Sequence, residues 1–274
     1  MTMAADARVQ RLVTLLQSAL RPPPGGKRIF FALSIGVICH LLFAAAVGAM
    51  MIEMFFGLSR SYGSVPWPWA GLLDFVLIIQ FPLTHSFLLT ATGSRCLGRL
   101  IPGPHGATLA TTTYAIIASL QLLALFLLWT PTHIIWWQAE GEVFWGICAL
   151  YAISWCLLIK ASFDAGAEVQ SGALGWMSLM AKIRPVFPDM PTEGLFRIIR
   201  QPIYVAFAMT LWTVPVWTPD QLSLAVCYTL YCFFAPRLKE RRFESRYGER
   251  FRHYREAVPY ACPRLFASRR NSDA

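Results

Sequence analysis

Long apolar runs limit what this chain can become. Predominantly apolar residues fill 29–56, 67–89, 108–130 and 143–162. A helix needs about 20 such residues to cross a bilayer, because lipid offers backbone N–H and C=O groups no partner outside their own segment. Two shorter runs follow at 203–216 and 222–235. Trp217-Thr218-Pro219-Asp220 joins them with the Pro and Asp of a tight turn, so the pair predicts a helix hairpin whose arms barely cross. With 56% hydrophobic and only 14% charged residues, 274 residues hold too little polar surface to clothe a soluble globule. The expected fold is an all-α, polytopic integral membrane protein of five to six transmembrane helices, with a C-terminal helix hairpin and a basic cytoplasmic cap.

Charge sorts the loops. Six spans put 23 of the 24 Lys and Arg residues on one side and leave Arg60 on the other. By the positive-inside rule that side is the cytoplasm and holds both termini, with a bacterial inner membrane as the expected location. Three regions follow: an interfacial segment over 1–28, transmembrane helices one to four with a cytoplasmic loop over 29–200, and the hairpin with a C-terminal cofactor-binding segment over 201–274. Val9, Leu12, Leu15, Leu16 and Leu20 recur at helical spacing beside Arg8 and Arg11, which suits a helix lying on the membrane rather than a cleaved signal.

The net charge of +9 sits beside the spans, so its partners are the anionic headgroups of the lipid bilayer and no nucleic acid is expected. Seven cysteines, an odd number lying mostly within spans, make neither a disulfide framework nor a metal-ligand spacing, and no metal is expected. Ionisable groups in hydrocarbon need a protein interior or a route to the interface. Glu53 and Lys160 lie near span ends and can reach out, whereas His85 stands at the basic end of the second span. Asp164 follows the fourth span, with Gln170 about two helical turns beyond it. Both suit a helix cap or a polar group facing a pocket.

The last quarter carries the most specific pattern. Arg200-Gln201-Pro202-Ile203-Tyr204 enters the hairpin, and Glu240, Tyr247-Gly248, Tyr254, Val258-Pro259 and Pro263 leave it. This order resembles the isoprenylcysteine carboxyl methyltransferase superfamily, in which an Arg-His-Pro-x-Tyr segment and a Glu with a (Phe/Tyr)-Gly-x-x-Tyr segment flank such a hairpin. Thr84-His85-Ser86, Thr112-Thr113-Tyr114 to Ser119-Leu120, and Phe163-Asp164 with Gln170 resemble further elements of its methanethiol S-methyltransferase, NnrU and nurim branch. The likeness runs from about residue 30 to residue 263.

The resemblance implies an S-adenosyl-L-methionine site at the membrane surface, held by Arg200, Gln201, Tyr204, Glu240, Arg246, Tyr247 and Tyr254. It also implies methylation of a small or lipophilic thiol such as methanethiol, with His85 and Asp164 as candidate bases. A thiol attacks as its thiolate, so it needs a base or a cationic field. Arg200 and Arg246 suit the donor's carboxylate and Glu240 its ammonium, although the arginines suit headgroups too. Departures stand beside the matches: Gln201 replaces the family His and cannot titrate near neutral pH, and Lys239 stands where an acidic residue often precedes the Glu. Two rivals therefore stay open: a non-catalytic, nurim-like membrane protein, and a sterol-reductase-like enzyme using NADPH. The oligomeric state and the acceptor's identity are not encoded in one sequence.

Overall fold

The computed structural model describes residues 3–263. Arg264, Arg269 and Arg270 of the basic tail lie outside the described residues, as does the Arg8 side chain. Among the described residues, four helices are long and apolar enough to cross a membrane: α2 (Gly26–Phe55), α3 (Trp69–Leu88), α5 (Gly106–Leu128) and α6 (Gly141–Gln170). They meet the four predicted long spans within a few residues, except that α6 runs eight residues further. Gly166, with φ of +109°, kinks that extension. Beyond the kink Glu168 is buried, and Gln170, for which a place facing a pocket was one of two expectations, is exposed.

The last two expected spans form the hairpin with altered bounds. Helix α8 (Pro202–Trp212) has 11 residues, about 17 Å of rise, and cannot cross alone. Helix α9 (Pro219–Tyr247) has 29. Its first half is apolar, and its last three turns carry Arg237, Lys239, Glu240, Arg241, Arg242 and Glu244 beyond that apolar part. The tight-turn residues act instead as a strand and a cap. Val216–Trp217 (β2) pairs antiparallel with Trp137–Gln138 (β1), Thr218 caps α9 by accepting from the Gln221 N–H, and Pro219 opens the helix.

The hairpin joins the bundle at the end remote from the charges. Asp220 accepts from Trp129 Nε1 at 3.1 Å and from the Thr132 N–H and hydroxyl at 3.0 and 2.6 Å. The Thr218 hydroxyl donates to the Gly57 carbonyl, and Gln221 ties the two arms by donating to Leu211 O. The core inside this rim includes Met54, Phe126, Leu211, Leu224 and Tyr228, from α2, α5, α8 and α9. Exposed Trp67, Trp69, Trp136, Trp145 and Trp212 collect at the same end, the belt that tryptophans form where hydrocarbon meets headgroups. Between α3 and α5, Gln80 and Gln121 exchange hydrogen bonds of 2.6 to 3.1 Å inside the apolar layer, which pair both amide nitrogens and the Gln80 side-chain oxygen and leave Gln121 Oε1 without a partner among the described residues.

Shorter helices gather at the basic end. Amphipathic α1 (Met3–Leu20) buries Leu15 and Ala19 and packs on α7 (Ala173–Ala181), which seats against α2 and α5. Neither α7 nor α4 (Ala91–Leu100) was among the sequence expectations. Close packing of α7 depends on small residues. A Cβ on Gly36 would stand 2.6 Å from the Trp176 ring, and one on Gly175 would stand 2.5 Å from Thr112 Oγ1.

Candidate functional site

Four chain segments converge at the basic end of the hairpin: the 3-10 turn Gly194–Arg197 with the residues after it, the start of α8, the charged end of α9, and α10 (Glu249–Ala257) with the segment behind it. Local sequence explains the route. Pro202 fixes the first turn of α8, where its missing N–H is no loss. Gly248, with φ of +51°, takes the turn that ends α9 and starts α10. The chain then returns beside its own entry strand, where the Arg200 N–H donates to Pro259 O at 2.9 Å and the Gln201 N–H to Tyr260 O at 3.1 Å.

Side chains bind these segments into one cluster. Arg200 Nε donates to Glu240 Oε1 at 2.8 Å, and its Nη1 donates to the carbonyls of Val258 and Arg255 at 2.6 and 2.8 Å. Gln201 Nε2 donates to the same Glu240 oxygen at 2.7 Å, while its Oε1 accepts from Lys239 Nζ at 3.0 Å. The Tyr254 hydroxyl donates to Phe196 O at 2.6 Å. Arg200 and Glu240 keep only 11% and 15% of their side chains exposed, so the pair is largely desolvated. Burial pushes Lys239 down to about 8, opposed by Glu240 and assisted by Arg242.

A cavity of about 10 Å³ lies among Arg200, Gln201, Lys239 and Glu240 and the rings of Phe196, Phe243, Phe251 and Tyr254. It has room for roughly one water, whereas a drug-sized ligand needs about 300 Å³ or more. The donor set nevertheless suits a zwitterionic nucleoside sulfonium, with a guanidinium for a carboxylate, a carboxylate for an ammonium, and aromatic faces for a cation. The chemistry therefore fits and the closed volume does not, so the segments around the cavity would have to part to admit such a ligand.

Of the residues expected from sequence, Arg200, Gln201, Glu240 and Tyr254 come together around this cavity, and Tyr204 lies beneath Lys239. Arg246 and Tyr247 do not line it. Arg246 instead stands over the Tyr247 ring and neighbours Asp189. His85 sits one layer deeper. Its Nε2 lies 2.7 Å from the Tyr114 hydroxyl, its ring stacks on Phe81, and its buried Nδ1 has no hydrogen-bond partner among the described residues. Asp164 holds Lys160 at 2.6 Å and accepts from the Leu195 N–H at 2.9 Å, which anchors the loop that leads into Arg200.

Two residues took no part in the expected site. Lys239 entered only as a departure from a pattern, yet it is central to the cavity. Arg242 links the layers: it is an electrostatic neighbour of His85, Tyr114 and Tyr204 and donates to Leu89 O at 2.6 Å. Its signal was the Arg241-Arg242 pair in the charged end of α9, which reads equally well as a headgroup face.

This chain is 28% identical to a methanethiol S-methyltransferase of Pseudomonas deceptionensis over 213 residues, covering 76% of the chain and 80% of that protein. It is 25% identical to the Mycobacterium tuberculosis methanethiol S-methyltransferase over 199 residues, covering 71% and 78%. A nurim homolog of Drosophila melanogaster matches at 26% over 185 residues, covering 65% and 69%. The chain is a distant relative of methanethiol S-methyltransferases and nurims. That kinship agrees with the resemblance carried by the Arg200 and Glu240 segments. No protein-family model matches the chain, and no solved structure does.

Proposed function

We propose that this protein is an integral-membrane methyltransferase that takes its methyl group from S-adenosyl-L-methionine and delivers it to a small or lipophilic thiol. The supporting observation is the Arg200, Gln201 and Glu240 cluster, roofed by α10 at the charged end of a helix hairpin. When bound, the donor supplies a methyl group on an electron-poor sulfur. Arg200 would hold the carboxylate of the donor's amino-acid end and Glu240 its ammonium. Phe196, Phe243 and Phe251 would exclude water, and positioning in a dry site supplies much of the rate of an in-line transfer.

The acceptor side belongs to the layer beneath. His85 takes the thiol proton at Nδ1 in the tautomer whose Nε2–H donates to Tyr114, and Arg242 provides a cationic field for the thiolate. Asp164 serves as the anchor of the 194–200 loop. Both termini then lie in the cytoplasm, beside the polar donor, and the bacterial relatives favour an inner membrane. The small closed cavity and the nurim relationship favour one alternative, a non-catalytic membrane protein of partner-binding role.

Incubation of detergent-purified protein with methyl-labelled donor and a panel of thiols, selenols and prenylcysteine tests the reading. Label in a thioether product is expected. Absence of label from every acceptor, with the label intact on the donor, would favour the alternative.

A further inference from the structure

Two departures from the family pattern meet in space. Gln201 stands for a histidine and Lys239 for an acidic residue, and Lys239 Nζ donates to Gln201 Oε1 at 3.0 Å. In this chain the two positions therefore form an amide beside an ammonium. The same ammonium faces three rings, 5.3 Å from the Phe196 centroid, 5.5 Å from Phe243 and 5.8 Å from Tyr204. Several π faces around one cation form the kind of cage that recognises quaternary ammonium ligands. Here the chain itself supplies the cation.

We propose that Lys239 is the resident cation of the donor cradle, and that it makes the site favour a neutral thioether nucleoside over the corresponding sulfonium. The inference rests on the proposed donor site and deepens it: the site would hold S-adenosylhomocysteine, the demethylated product, more tightly than the donor. Binding of the cationic ligand then requires Lys239 to leave the cage or to lose its proton.

Glu240 is the neighbouring charge that opposes this effect. Glu240 is shared between Arg200 and Gln201 and makes no hydrogen bond to Lys239. Arg242 on the same helix adds positive charge, and Arg200 arrives from the α8 side. Tyr204 on α8, Tyr254 on α10 and Tyr260 behind it face the cluster as phenols, and His85 and Tyr114 lie beyond Arg242. Burial leaves Lys239 titrating near pH 8, within reach of a binding experiment. Two unit charges about 6 Å apart at a partly buried site repel enough to change affinity on the order of ten- to a hundredfold.

Isothermal titration of the detergent-purified full chain with S-adenosylmethionine and with S-adenosylhomocysteine, at pH 7 and pH 9, tests the proposal. Both ligands share the same amino-acid end, so its own titration cancels in the ratio of their affinities. The wild type is expected to prefer the thioether by about tenfold or more at pH 7, with the preference shrinking at pH 9. Lys239→Met should remove the preference at both values, and Lys239→Arg, which stays charged, should keep it at both. A wild-type ratio that does not change with pH, or an equal ratio in Lys239→Met, overturns the inference while leaving the donor site standing. No binding of either ligand to any of the three proteins overturns both.

Discussion

Removing the Glu240 carboxylate should destabilise the closed cluster even with no ligand present. Glu240 accepts Arg200 Nε at 2.8 Å and Gln201 Nε2 at 2.7 Å in a setting where both charged partners are mostly buried. Breaking a buried pair by deleting one partner costs about 3–5 kcal/mol, because the other charge is left uncompensated. Arg200 would keep its bonds to Val258 O and Arg255 O, so Glu240→Ala belongs at the lower end, about 3 kcal/mol. Glu240→Gln retains an acceptor and loses only the charge. Its cost should be about half, by the difference between charged and neutral hydrogen bonds. For a chain of this size about 3 kcal/mol corresponds to roughly 6–12 °C in melting temperature. Thermal unfolding in detergent, followed by tryptophan fluorescence, reads the shift. A Glu240→Ala protein melting within about 2 °C of wild type, against the 2–4 °C expected per kcal/mol, would refute the idea that this pair holds the cap closed.

Gly194→Ala should loosen the loop before Arg200. The residue has φ of +63°, and an added Cβ would run into the Asp164 carboxylate, so earlier protease cleavage near residues 194–201 and a lower melting temperature are expected. Tyr114→Phe removes the hydrogen-bond partner of His85 Nε2, and should lower thiol methylation about tenfold or more while leaving product affinity unchanged. Lys239 gives stability a pH signature. Folded, it loses its proton near 8 rather than at its ordinary 10.5, so the native chain binds fewer protons than the unfolded chain between those values. Wild-type stability relative to Lys239→Met should therefore rise from pH 8 to about 10.5 and sit at its lowest below 8.

The long spans were readable because a membrane imposes length and hydropathy on any helix that crosses it, and 29–56, 67–89 and 108–130 needed no tertiary information. The hairpin was readable as a unit but not in its bounds. Val216, expected at the end of the first arm, and Trp217, expected in the turn, pair with Trp137–Gln138, a contact about 80 residues away that no local pattern records. Helix α9 outran its apolar segment because Pro236 is accommodated within it and the charged turns pack on α10. At the site, Arg200, Gln201 and Glu240 were marked by their order along the chain. The Arg246 and Tyr247 pair shares that marking, yet helical phase turns it away from the cavity. Lys239 drew notice only as a mismatch. Its contact with Gln201 became visible once α8 and α9 lay side by side.

The central claim is that the segments meeting at Arg200 and Glu240 hold the methyl donor. Photocrosslinking of labelled S-adenosylmethionine to the purified protein, followed by peptide mapping, tests it most directly. Label is expected on peptides within 189–263, lost in Glu240→Ala and retained in Arg60→Ala. Label confined to the helices before Lys182, or undiminished in Glu240→Ala, would contradict it.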